Sequence, residues 1–127
     1  MKRTVHTDKA PAPFQGAPYS QAVVHGDLVF AAGQIGVDPA TGQVVEGGIE
    51  AQTDQALKNL AAVLEAAGSS LANALNVSIF IVDFADFPAM NEVYATHVGP
   101  EFPARATVQI AGLPSGALVE IALVAHM

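Results

Sequence analysis

The sequence predicts an α+β domain in which one sheet is covered on one face by two helices. Short runs rich in Val, Ile, Leu and Ala recur along the chain at strand length, bounded by Gly, Pro, Asn and Asp. Two longer stretches carry helical periodicity and fall among those runs. The resulting order is strand, strand, strand, helix, strand, helix, strand, strand, which suits helices gathered on one side of a sheet.

Taken in order, Lys2 to Thr7 reads as a short first strand, and Ala10 to Pro18, with three prolines and Gly16, as an extended loop. Gln21 to Val24 and Leu28 to Ala32 form a predicted hairpin around the turn His25-Gly26-Asp27. Gly33, inside an apolar run, marks a bulge or a place where a ligand approaches the backbone. Asp38-Pro39-Ala40-Thr41-Gly42 is a turn. The strongest helix runs from Ile49 to Ala67, where Leu57, Leu60 and Leu64 recur at three and four, and Gly68 supplies its left-handed cap. Asn76 to Val82 is a strand. Asp86 is placed to cap a second helix over Phe87 to His97, with Pro88 in its first turn. Arg105 to Ile110 and Val119 to Ala125 are the last strands, joined through Leu113-Pro114-Ser115-Gly116. Leu28, Phe30, Ile79, Ile81, Val108, Ile121 and Leu123 cannot all face the helices, so the other sheet face needs cover, which association of identical sheets would provide.

Composition narrows the function. At 127 residues the chain makes one domain, 51% hydrophobic and only 13% charged. So little charge fits burial in a homo-oligomer. The net charge of −7, from 12 acidic and 5 basic residues, leaves no basic patch for nucleic acid or an anionic membrane. There is no Cys, which removes disulfides, thiolate metal sites and Cys nucleophiles. The start of the chain lacks the apolar core of a signal peptide and no run reaches membrane-spanning length, so a cytoplasmic protein is expected.

Arg105 is the last basic residue of the Lys and Arg set and the only one after Lys58. It sits in Phe102-Pro103-Ala104-Arg105-Ala106-Thr107-Val108, which otherwise reads as a half-buried strand. A guanidinium keeps its charge and needs an anionic partner there. Glu120 interrupts the next apolar strand in the same way. Spacing alone favours a structural ion pair between them; the other reading is an anion-binding Arg beside a carboxylate that handles protons. His6, His25, His97 and His126 show no metal-ligand spacing. Gly47-Gly48 matches no phosphate-binding fingerprint, and the serines lack a nucleophile elbow. Tyr19 reads equally as a core aromatic or as a residue whose hydroxyl is used, and Asn91 alone reads as a surface residue.

Together these blocks resemble the RidA/YjgF family of reactive-intermediate deaminases over nearly the whole chain. The resemblance lies in Ala17-Pro18-Tyr19-Ser20-Gln21-Ala22; in Gly33-Gln34-Ile35 with Asp38-Pro39 and Thr41-Gly42; in Gln52-Thr53, Gln55, Leu57, Asn59-Leu60 and Ala66-Ala67-Gly68; in Asn91-Glu92-Val93-Tyr94; and in Pro103-Ala104-Arg105 through Leu113-Pro114 to Val119-Glu120-Ile121. It implies a chorismate-mutase-like fold and a homotrimer whose sheets line a central barrel, with clefts between subunits. It implies hydrolysis of 2-imino and enamine acids to 2-keto acids and ammonia, without metal or organic cofactor. In that role Arg105 would hold the substrate carboxylate as a bidentate fork. Glu120 would orient water and shuttle protons, with a pKa that burial raises and Arg105 opposes. Tyr19, from an adjacent subunit, would close the cleft; Ala32, Gly33, Asn91 and the backbone of Ala106 and Thr107 would complete it. Family members with this activity often carry Ser where this chain has Ala32 and Cys where it has Thr107. Those changes leave open a related enamine deaminase of the aminomuconate type, and the apolar composition leaves open a metabolite-binding or holdase trimer.

Overall fold

A computed structural model describes residues 1–127. Eight strands and two helices follow the expected order, with one addition. The strands are β1 (Arg3–Val5), β2 (Ala22–His25), β3 (Leu28–Ile35), β4 (Val37–Asp38), β5 (Gln43–Val44), β6 (Ala74–Ile81), β7 (Ala104–Gln109) and β8 (Val119–His126); the helices are α1 (Gly48–Ala67) and α2 (Phe87–Val98). The addition is the small β4–β5 hairpin, which flanks the expected turn at Asp38 to Gly42. The six long strands form one sheet in the order β1-β2-β3-β8-β6-β7, antiparallel except for β6 and β7, which α2 connects in parallel.

The covered face follows from residue alternation. In β8, Val119, Ile121, Leu123 and Ala125 are buried while Glu120, Ala122 and Val124 are half-buried on the opposite face. Ile79 and Ile81 join the core with Ile121 and Leu123; Leu28, Phe30 and Val108 lie exposed on the face without helices. The apolar residues expected to need cover therefore divide between the two faces. The core is built on Leu57, Leu60, Val63 and Leu64 of α1, all fully buried against the sheet.

The helix ends are set locally. α1 stops at Gly68, whose φ of +94° requires glycine. The Gly68 N–H donates to the Glu65 carbonyl and the Ser69 N–H to the Leu64 carbonyl, and Arg3 Nη2 donates to the Ala67 carbonyl at 3.2 Å. At α2 the expected capping by the Asp86 side chain is not made. Asp86 already has helical backbone angles, and Asp83, one turn earlier, accepts from the Ala85 N–H at 2.9 Å instead. β3 runs beyond Ala32 to Ile35 because a register shift between Ala31 and Gln34 absorbs Gly33 as a bulge. No helix is long and apolar enough to cross a membrane.

Candidate active site

Glu120 stands on the open face of the sheet, in a cross-strand row with Ile35 of β3 and Phe80 of β6. Its carboxyl lies directly over Gly33. A Cβ at that position would come 2.7 Å from Glu120 Cδ and 2.9 Å from Oε2, so any side chain there would displace this carboxylate. Burial raises the Glu120 pKa above the usual carboxylate range. The carboxylate opens into a cleft of about 710 Å³, bordered by Phe14, Tyr19, Ala32, Gly33, Pro114 and Glu120. Gln15 and Ser115, with φ of +51° and +58°, border it as well. They are the two non-glycine residues of the chain with positive φ, and such strain gathers at functional sites.

Three buried amides hold the walls of this cleft. Gln21 takes the Thr7 N–H on Oε1 at 2.7 Å, and its Nε2 donates to the carbonyls of Thr7, Ala10 and Pro11, pinning the proline-rich loop. Asn59 Nδ2 donates to the Ile35 and Val37 carbonyls at the end of β3. Gln52 Oε1 accepts from the Leu118 N–H at 2.8 Å, just before β8 begins. Buried polar groups that are satisfied in this way fix backbone position, here on either side of Glu120.

Arg105 belongs to the other face. In the register of β6 and β7 it lies beside Val77, whose side chain is fully buried under the helices. Its Cζ sits 4.9 Å from the Tyr94 ring centroid and 5.6 Å from that of Phe87, both on α2. Asn91, Tyr94, Phe102, Pro103 and Arg105 line a second hollow of about 320 Å³. The contacts between basic side chains and carboxylates join Asp54 to Lys58 and His97, so Arg105 has no carboxylate partner. Beside it, Asn91 Oδ1, Tyr94 Oη and Thr107 Oγ1 are buried without hydrogen-bond partners.

The structural ion pair that spacing favoured is therefore absent from the single chain. Alternation puts Arg105 and Glu120 on opposite faces, with β6 between their strands. It follows that Arg105 does not oppose the upward shift of Glu120, which comes from burial alone. Tyr19 is not a core aromatic: it is 44% exposed and its hydroxyl accepts the Phe14 N–H at 2.7 Å. It borders the cleft of Glu120 in the same chain. Ala32 and Gly33 border that cleft, whereas Asn91 lines the hollow of Arg105 and Thr107 follows Arg105 by two residues along β7. Ala106 is exposed on β7, the edge strand, one side of whose backbone has no strand beside it. Phe87 and Tyr94 were missed as site residues. The available signal was their spacing with Asn91, which places all three on one stripe of α2.

Residues 7–127 match the family model described as endoribonuclease L-PSP. The chain belongs to the RidA/YjgF family. A RutC family protein of Pyrococcus horikoshii is 46% identical over 99% of this chain and 98% of its own. The human 2-iminobutanoate/2-iminopropanoate deaminase is 42% identical, covering 98% of this chain and 90% of its own. The crystal structure of RidA from the Antarctic bacterium Psychrobacter is 42% identical, with a TM-score of 0.93 over 98% of this chain and 99% of that one. The RidA-family fold thus includes the single sheet with two helices described above. Against the family pattern, Ala32 puts a methyl where a hydroxyl is often found, and its N–H is held by the Gln21 carbonyl at 2.9 Å. Thr107 brings a hydroxyl in place of a thiol.

Proposed function

We propose that this protein hydrolyses 2-imino and enamine acids, such as 2-iminobutanoate and 2-aminoacrylate, to 2-keto acids and ammonia. The site is a cleft assembled from two copies of the chain, one giving the Arg105 half and its neighbour the Glu120 half. The observation that carries the reading is the unpaired guanidinium: a half-buried cation without a protein anion is a vacancy for a carboxylate. The deaminase names of relatives at 42% identity point to the same chemistry.

The steps follow from the groups. Arg105 holds the substrate carboxylate in a planar fork, which orients the neighbouring C=N carbon. Glu120, half-buried and raised in pKa, takes a proton from water as its oxygen adds to that carbon. The proton passes to the nitrogen to give the carbinolamine; its hydroxyl proton then moves to the same nitrogen by way of Glu120 as C=O forms and the C–N bond breaks, so ammonia and the 2-keto acid leave. The net reaction is a hydrolysis without oxidation or reduction, and Glu120 is returned to its carboxylate form when it passes the proton on. The open sheet face with Leu28, Phe30, Val108 and Val124 supplies the apolar surface on which three copies would close a barrel. A second reading, a deaminase for a larger enamine acid, is favoured by the apolar border of the 710 Å³ cleft and by Ala32.

The test is a coupled assay in which a serine or threonine dehydratase generates the imine and semicarbazide traps whatever is not hydrolysed. Wild type outcompetes the trap and Arg105→Ala does not. An Arg105→Ala protein as active as wild type would sink the clamp. Turnover of a larger enamine acid with none of 2-iminobutanoate would favour the second reading.

A further inference from the structure

Arg105 is held by rings rather than by ions. A guanidinium binds aromatic groups through its two faces and anions through its N–H edge. Here the rings of Tyr94 and Phe87 lie 4.9 and 5.6 Å from Arg105 Cζ, within cation–π reach, and no carboxylate pairs with the guanidinium. Tyr94 is 4% exposed, and its hydroxyl oxygen is sealed from solvent without a hydrogen-bond partner. Burial raises the pKa of that hydroxyl, while the charge of Arg105 and the approach of its N–H, short of hydrogen-bond geometry, pull the other way. Plain packing in the stripe Met90, Tyr94, Val98 would be served by a phenylalanine. The unpartnered hydroxyl is what calls for a reason.

We propose that Tyr94 is the positioning residue of the Arg105 clamp, its ring fixing the plane of the guanidinium and its hydroxyl receiving an Arg105 N–H once an anion occupies the edge. Phe87 supports the same plane from α2. The proposal rests on reading Arg105 as a carboxylate clamp and adds what aims it. Asn91, whose Oδ1 is also buried and unpartnered, lines the same hollow as Tyr94 and Arg105.

The experiment compares Tyr94→Phe, Tyr94→Leu and Phe87→Leu in the full-length assembly. It measures Tm, the Kd for 2-oxobutanoate, and kcat and KM for 2-iminobutanoate. If Tyr94 were only core, Tyr94→Phe would remove an unsatisfied group, leaving Tm unchanged or higher and binding unaltered. As a positioning residue it gives the same Tm but weakens 2-oxobutanoate roughly threefold to tenfold, mostly in KM. Tyr94→Leu loses the ring too and weakens binding further, by roughly tenfold beyond Tyr94→Phe, so that Tyr94→Phe keeps the part the ring supplies. Unchanged Kd in both Tyr94 variants overturns the proposal. Should Tyr94→Leu fail to fold, Tyr94→Phe and Phe87→Leu decide it by the same measure. A wild type that binds 2-oxobutanoate but hydrolyses no imine removes the deaminase reading and leaves the positioning role standing. A wild type that binds no 2-oxobutanoate removes the clamp and this proposal with it.

Discussion

Arg105 and Glu120 face opposite sides of one sheet. Arg105 ends the covered row Ala31, Leu123, Val77, Arg105, whereas Glu120 sits in the open row Ile35, Glu120, Phe80, Val108. Their strands flank β6, which separates them by about 10 Å before the faces are considered. Two charges in so sparingly charged a chain are thus kept apart within one copy.

Gly33→Ala is expected to damage activity far more than stability. The added Cβ would lie 2.7 Å from Glu120 Cδ, but the obstructing atoms are the end of a side chain that can swing away. Tm should move by only a few degrees. A carboxylate displaced by about 1 Å should lower kcat roughly a hundredfold. In the double variant Gly33→Ala/Glu120→Ala the stability loss should vanish, since nothing remains to collide. A Gly33→Ala enzyme with wild-type kcat would show that Glu120 is free to act from another position.

Glu120 also sets a pH dependence whose sign is fixed by burial. Its folded pKa is raised, so the folded state holds the proton more tightly than the unfolded chain does. Below the ordinary carboxylate pKa this contributes stability, and the contribution is lost as pH rises through the folded value. The working base is the deprotonated form, so kcat/KM should fall as pH drops through the same value. Glu120→Gln should remove that limb along with the activity and give a higher Tm than wild type at neutral pH. A wild-type profile flat down to the ordinary carboxylate range would contradict a raised, working Glu120.

The strand and helix order was legible because alternation and three-four periodicity are local properties of sequence. Gly33 was legible as a place of close approach, although what approaches within the chain is Glu120 itself. The relation of Arg105 to Glu120 was not legible, because it depends on strand order: β8 inserts between β3 and β6, and β7 closes the edge. Spacing along the chain carries no record of that insertion. The aromatic support of Arg105 was present in the spacing of Phe87, Asn91 and Tyr94, but a helical aromatic stripe reads first as core.

Asp54 offers a contrast, a charged cluster that should matter little. Its carboxylate takes Lys58 Nζ at 2.8 Å and His97 Nε2 at 2.8 Å, tying α1 to α2. The Lys58 hydrogen bond is the chief cause of an Asp54 pKa below the ordinary 3.8. A lowered carboxylate contributes stability above the unfolded pKa, and that contribution is lost as pH falls through the folded value. With 40% of the Asp54 side chain exposed, solvent screens most of it. Asp54→Asn should lower Tm by about 2 °C or less at neutral pH, with no difference left in strong acid and kcat/KM unchanged. A large fall in activity would give the cluster a part in the site that its position does not suggest.

The sharpest consequence of opposite faces is that two dead enzymes should revive each other. Arg105→Ala and Glu120→Ala each spoil every cleft in a pure assembly. In a mixed assembly, a cleft that takes Arg105 from a Glu120→Ala protomer and Glu120 from an Arg105→Ala protomer is intact. With random mixing in equal amounts, each contribution is intact half the time, so about a quarter of wild-type activity should return. Co-expression or refolding of the two variants, followed by the semicarbazide competition assay, measures this directly. A double variant carrying both changes in one chain, mixed with wild type, serves as the control: random mixing again leaves about a quarter of clefts with both groups. Phe30→Asp on the open face should cut recovery by breaking the assembly, with a smaller species seen by light scattering. No recovery from well-mixed, intact assemblies would mean that Arg105 and Glu120 never share a cleft across two copies.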